Sequence, residues 1–193
     1  MEQFYTIQGE GFNAGKPAYF VRLGGCDVGC VWCDVMQSWD AGKHPLKSVD
    51  EIGIEAKKYS GQNVVITGGE PLMYNLDELC QAFKKSGYKT WLETSGAYSL
   101  SGKWDWICVS PKKFKAPLKE VLTQANELKI IVFNQSDFNW AQKYELEVSK
   151  KCQLFLQAEW SKEKKMLPLI IDFVKENPHW RISLQTHKYM NVS

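Results

Sequence analysis

The chain has 193 residues, 44% of them hydrophobic and 24% charged, with a formal net charge of +2. That length suits one domain, 1–193, large enough to bury a proper core, and so small a charge argues against nucleic acid or an anionic membrane as partner. The opening MEQFYTIQGEGF lacks a basic start and apolar run, and no stretch is long enough to span a bilayer, so a cytoplasmic setting is expected, with the six cysteines as reduced thiols or metal ligands.

In chain order, AYFVRL (18–23) reads as a first strand. Ser48 with Glu51 three residues on forms a capping box that opens a helix through Tyr59. NVVIT (63–67) is a bounded apolar strand, and a helix from Leu76 to Ser86 stops at Gly87. YKTWLE, WICVS and ELKIIVF read as strands, followed by a helix over about 137–148 and the strand QLFLQ. A last helix, about 162–177, precedes the strand RISLQ. Strands alternating with helices predict a mainly parallel α/β sheet with right-handed crossovers. A closed eight-stranded barrel takes about 250 residues. The expected fold is therefore a partial, incomplete parallel β/α barrel of about six strands, with a doubly wound sheet as the other option.

Polar stretches fall at the strand ends, where parallel α/β folds bind ligands. Three cysteines follow the first strand, Gly68-Gly69-Glu70-Pro71 follows NVVIT, and Glu93-Thr94-Ser95-Gly96 ends YKTWLE. Ser110-Pro111-Lys112, Gln157 with Glu159, and Gln185-Thr186-His187 end three more. Six such stretches predict one shared cavity.

Cys26, Cys30 and Cys33 lie within eight positions, whereas Cys80, Cys108 and Cys152 are isolated and read as core thiols. Three thiolates suit an iron–sulfur cluster with one iron left open to a substrate or cofactor. Gly24, Gly25 and Gly29 permit the tight turns that wrapping a cluster requires. The competing reading is zinc completed by His44 or His187, at an unusual spacing for that metal.

The spacing C-x3-C-x2-C together with the downstream GGEP resembles the radical S-adenosylmethionine (SAM) superfamily. FYTIQGEGFNAGKPAYFVRLGGC, TGGEPL, ETSG, SPK, ELKIIV and SLQTHKYMNV extend the likeness over the whole chain and resemble the 7-carboxy-7-deazaguanine synthase family. That resemblance implies a radical SAM type partial barrel, a [4Fe-4S] cluster on the three cysteines, and SAM on the open iron. It also implies 6-carboxy-5,6,7,8-tetrahydropterin as substrate, a homodimer, and an electron-donor protein such as flavodoxin or ferredoxin.

Residue by residue, the resemblance implies substrate contacts at Gln8, Gly9, Glu10, Arg22, Thr67, His187 and the terminal carboxylate of Ser193. Cofactor contacts are implied at Trp32, Asp34, Gly69, Glu70, Ser95, Ser110, Pro111, Lys112 and Gln157. A carboxylate such as Glu10 suits the N–H edge of a pterin, and the planar fork of Arg22 suits a substrate carboxylate. The bland alternative for Glu10 and Arg22 is a mutual ion pair or a solvated edge. Two departures stand out. Family members commonly carry Thr or Ser after C-x-x-C-D, where the hydroxyl helps hold Mg2+, but here Asp34 is followed by Val35, whose side chain offers no oxygen. Magnesium is then either held without that ligand, for example by substrate oxygens and water, or dispensable. Relatives also often end in proline, where this chain ends in Ser193. A glycyl-radical activase would share the cysteines and GGEP, and a non-catalytic metal-binding module would share the cysteines. Neither needs QGEG, Arg22 and QTHK.

Overall fold

Residues on alternate sides of each strand meet different surroundings, and the computed structural model, which describes residues 1–192, shows what covers each face. β1 (Glu2–Ile7) and β2 (Pro17–Leu23) pair antiparallel, with Phe4 opposite Phe20. β3 (Asn63–Gly68), β4 (Lys89–Thr94) and β5 (Trp106–Val109) then add in chain order, each parallel to the one before. β6 (Glu127–Val132), β7 (Gln153–Ala158) and β8 (Trp180–Ile182) complete an eight-stranded sheet. β1 and β8 do not pair, so the sheet stays open as a partial barrel.

The one strand of the eight absent from the chain-order reading is β1, whose QFYTI alternates too weakly to stand out beside the QGEG motif. RISLQ contributes fewer strand residues than its pattern suggests. The chain leaves the sheet at Ser183, whose hydroxyl donates to Gln157 Oε1 at 2.7 Å and accepts the Gly11 N–H at 2.9 Å.

α1 (Val49–Ala56) opens on the Ser48–Glu51 capping box, and Gly87 follows α2 (Asp77–Lys85) at φ +82°. α4 (Ser136–Glu145) and α5 (Glu163–Glu176) fall where helical periodicity put them. α3 (Lys119–Gln124) and α6 (Thr186–Met190) were not anticipated, because a helix this short hardly completes one period of an apolar stripe. Among the described residues no helix is long and apolar enough to cross a membrane.

One face of the sheet buries Val64, Ile66, Leu92, Leu128, Ile130 and Leu156 in a core shared with Ile52, Phe83, Leu122 and Ile170 from the helices. Each such aliphatic side chain contributes on the order of 2 kcal/mol. Cys80, Cys108 and Cys152 are buried, as expected. The opposite face carries a smaller plug of Ala18, Phe20, Val65 and Trp91, packed by Phe4 and Trp106. One step further toward the carboxyl ends of the parallel strands, that same face turns polar with Thr67, Glu93, Lys129 and Gln157. The plug closes the bottom of the sheet, and the polar tier above it faces a cavity.

Candidate active site

The loop after β2 carries the three cysteines, and its shape is set largely by the end of β3. Gly69 N–H donates to Leu23 O at 3.0 Å and Glu70 N–H to Gly25 O at 2.9 Å. The GGEP segment thus runs beside residues 23–26 like an extra rung of the sheet. Only glycine fits at position 69, where a Cβ would stand 2.2 Å from Gly25 O and 2.8 Å from Cys26 Cβ. The other flank of the loop is held by Gly25 N–H to Ser38 O (2.6 Å) and Tyr74 Oη–H to Gly24 O (2.6 Å). Asp27 is pinned by the Tyr98 hydroxyl at 2.5 Å and Lys115 Nζ at 2.7 Å.

Cys26, Cys30 and Cys33 all line the cavity. Burial raises the Cys26 pKa and pushes Cys30 up to about 11, with Lys112 pulling Cys30 back and the neighbouring thiols adding to both. Thiols held this way release protons as metal binds. Among the described residues, no three His, Cys, Asp or Glu gather closely enough for a single ion. Three thiolates on one loop suit a cluster in which each serves a different iron. The zinc set also fails at its fourth ligand. His44 is turned onto Gln37 O at 2.8 Å, and His187 packs over Gly9, where a Cβ would come within 2.2 Å of Nδ1.

Of the other expected cofactor contacts, Trp32, Asp34, Gly69, Glu70, Ser95, Ser110, Lys112 and Gln157 share this cavity with the cysteines. Lys112 is anchored on Ser110 Oγ at 2.7 Å, with its ammonium 5.2 Å from the centre of the Trp32 ring. Pro111 is buried behind them and does not line the cavity. Glu70 lines the wall, but its oxygens are already taken by the N–H groups of Leu72 and Ser95 and the hydroxyls of Thr94 and Ser95. Its side chain therefore clamps the tips of β3 and β4 together.

The substrate-side expectations divide. Glu10 and Thr67 line the cavity. Gln8 and Gly9 lie behind Glu10. Gln8 Nε2 donates to Glu93 Oε1 at 3.3 Å, and Gly9 O accepts from Thr186 N–H and Oγ1–H, both at 2.9 Å. His187 is half-buried outside the lining. Arg22 also stays out of the lining. Its Nε lies 2.8 Å from Glu2 Oε1, though not aligned for a hydrogen bond, because antiparallel pairing sets Glu2 opposite Arg22. The guanidinium also sits 5.6 Å over the Phe4 ring. The mutual Glu10–Arg22 ion pair is thus not formed. Ser193 lies outside the described residues.

Sequence reasoning passed over Lys129. This buried lysine donates to Glu10 Oε2 at 2.7 Å and to Glu93 Oε2 at 3.0 Å. Gln185 Nε2 completes the cradle by donating to Glu10 Oε1 at 2.8 Å. Burial alone would raise the Glu10 pKa, but the charge and hydrogen bond of Lys129, with Gln185, outweigh it and bring the carboxyl down to about 2. The available signal was a pair of charges, Glu127 and Lys129, inside an otherwise apolar strand.

Residues 20–107 match the family model described as the Radical SAM superfamily. A 7-carboxy-7-deazaguanine synthase of Flavobacterium psychrophilum is 52% identical over 192 residues, spanning 100% of this chain and 91% of its own length. The chain belongs to the 7-carboxy-7-deazaguanine synthase family. The Synechocystis 7-carboxy-7-deazaguanine synthase is 47% identical over 99% of this chain and 91% of its own. The crystal structure of QueE from Escherichia coli superposes with a TM-score of 0.81 at 30% identity, over 95% of this chain and 91% of that one.

Members of this family are radical SAM enzymes, which use a [4Fe-4S] cluster and SAM. The three cavity thiols fit the cluster, and Trp32, Ser110 and Lys112 line the same cavity. Magnesium finds no comparable fit. Val35 brings no oxygen to the cavity wall, and Lys188 Nζ already sits 4.0 Å from Asp34 Oδ2 and 3.0 Å from Gln185 Oε1. The Lys188 ammonium beside Asp34 opposes a second cation at that carboxylate.

Proposed function

We propose that this enzyme converts 6-carboxy-5,6,7,8-tetrahydropterin to 7-carboxy-7-deazaguanine and ammonia, a redox-neutral rearrangement. The observation that carries the reading is the half-buried carboxylate of Glu10, held by Lys129 and Gln185 in the same cavity as the three thiols. When bound, the cluster and SAM supply a 5′-deoxyadenosyl radical that abstracts hydrogen from the substrate carbon bearing the carboxylate. The protein's part is to bind, orient and exclude water. Glu10 accepts from the N–H edge of the pterin, as an ionised carboxylate with two acceptor oxygens can. Thr67 offers a hydroxyl at the tip of β3, Lys112 serves SAM from the cavity wall, and the Lys188 ammonium on the same wall suits the substrate carboxylate.

On this reading Gln8, Gly9 and His187 position the loop that carries Glu10. Arg22, paired directly with Thr67 across β2 and β3, exchanges Glu2 for the substrate carboxylate when the ligand enters. Substrate binds without a magnesium ion held by the protein. The terminal carboxylate of Ser193 belongs to the same proposal by family likeness, as do residues 1–193 working as one domain, a homodimer, a cytoplasmic location and a flavodoxin or ferredoxin as electron donor.

The test is an anaerobic assay of the cluster-rebuilt enzyme with SAM, reductant and the tetrahydropterin, read by mass spectrometry. Formation of 7-carboxy-7-deazaguanine, abolished in Cys30→Ala, is the expected result. SAM cleavage with the pterin untouched overturns the substrate assignment and favours the activase reading.

A further inference from the structure

We infer that Lys129 is the positioning residue of the substrate site: one buried ammonium holds the Glu10 and Glu93 carboxylates apart and keeps both as hydrogen-bond acceptors. The inference rests on the pterin reading of the cavity and names a residue to which that reading gave no role.

Lys129 is 4% exposed, and its Nζ reaches an oxygen of each carboxylate at 2.7 and 3.0 Å. Both carboxylates line the cavity with it. The same strand, β6, offers Glu127 two residues earlier, whose Oε2 accepts the Phe12 N–H at 3.2 Å and the Trp106 indole N–H at 2.9 Å. β6 therefore shapes the QGEG loop twice, gripping the Glu10 side chain with a cation and the Phe12 backbone with a carboxylate.

Two half-buried carboxylates that share one ammonium, at 2.7 and 3.0 Å, resist being charged together once that cation is gone. Remove Lys129 and they come to share one proton. A protonated Glu10 becomes a donor at one oxygen and loses its fit to a row of pterin N–H groups. The other titratable groups around this cluster are Glu127, Cys108 of β5, Lys112 after β5, and His187 and Lys188 of α6, the last bonded to Gln185 Oε1 at 3.0 Å. Lys112 anchors on Ser110 and His187 packs on Gly9, so neither donates to Glu10 in place of Lys129.

The experiment compares the whole cluster-rebuilt enzyme with Lys129→Met and Lys129→Arg, with SAM present and reductant withheld so that nothing turns over. Affinity for 6-carboxytetrahydropterin is measured by calorimetry across the pH range, and the variant-to-parent ratio removes the ligand's own titration. Lys129→Met is expected to bind about tenfold more weakly near pH 6, with the deficit shrinking several-fold as pH rises to about 9. Lys129→Arg is expected to hold affinity without the new pH dependence. Infrared spectra without ligand are expected to show a protonated carboxyl in Lys129→Met at neutral pH, lost again in Lys129→Met/Glu93→Gln. Should Lys129→Met not fold, Lys129→Gln gives the same readout. A ratio constant with pH, or no new carboxyl band, overturns the inference alone. No binding by the unsubstituted enzyme at any pH overturns the pterin reading and this inference with it.

Discussion

The Ser95 hydroxyl and backbone N–H both donate to one oxygen of the Glu70 carboxylate, at 2.5 and 2.8 Å. The other oxygen takes the Thr94 hydroxyl at 2.5 Å and the Leu72 N–H at 3.1 Å. Glu70 is 1% exposed, so every one of these groups depends on it for a partner. Glu70→Ala strands two buried N–H donors, and the expected loss is about 3 kcal/mol of unfolding free energy by denaturant titration. A loss below about 1 kcal/mol would mean that water replaces the carboxylate, and the clamp would not be structural.

Gly69→Ala tests whether the GGEP segment shapes the cysteine loop. The added methyl meets the Gly25 carbonyl, a backbone atom that cannot swing aside, so the two segments must part. Iron content and absorbance near 400 nm after cluster rebuilding are expected to fall several-fold, with a stability loss of about 1–3 kcal/mol. Full cluster loading would show that the loop forms independently of β3.

Val35→Thr restores a hydroxyl to the position after Asp34. The unsubstituted enzyme is expected to turn over equally well with magnesium or with a chelator. The variant is expected to gain a magnesium response of a few-fold in substrate affinity. Loss of the unsubstituted enzyme's activity in chelator would refute the view that Lys188 and the bare Val35 leave no place for the ion.

Glu127 offers a pH test away from the cofactors. Its Oε1 is buried without a hydrogen-bond partner, and burial raises its pKa despite Lys129, whose ammonium bonds Glu10 and Glu93 instead. A carboxyl raised on folding contributes its stability in acid and loses it as pH climbs above the unfolded value of about 4.5. Glu127→Gln has no such titration. Its stability relative to the parent should therefore climb as pH rises above about 5, by at most about 1.4 kcal/mol per unit. A difference that stays flat over this range would mean that Glu127 ionises in the folded protein as it does in the unfolded one.

The chemistry was readable in the chain because its ligands are local. Cys26, Cys30 and Cys33 occupy one loop, and GGEP, ETSG and SPK each sit at a strand end that alternation and length had already marked. Open-sheet architecture followed from the same periodicity and from a chain too short to close. What side chains do across the sheet was not readable. Lys129 meets Glu10 across 119 positions of sequence, Glu70 turns its oxygens onto β4, and Arg22 lies beside Glu2. Each of these depends on strand register and on which neighbour a long side chain reaches first, and no local pattern encodes either. Cysteine spacing determined what this protein can hold, and the packing of eight strands decided which charges face it.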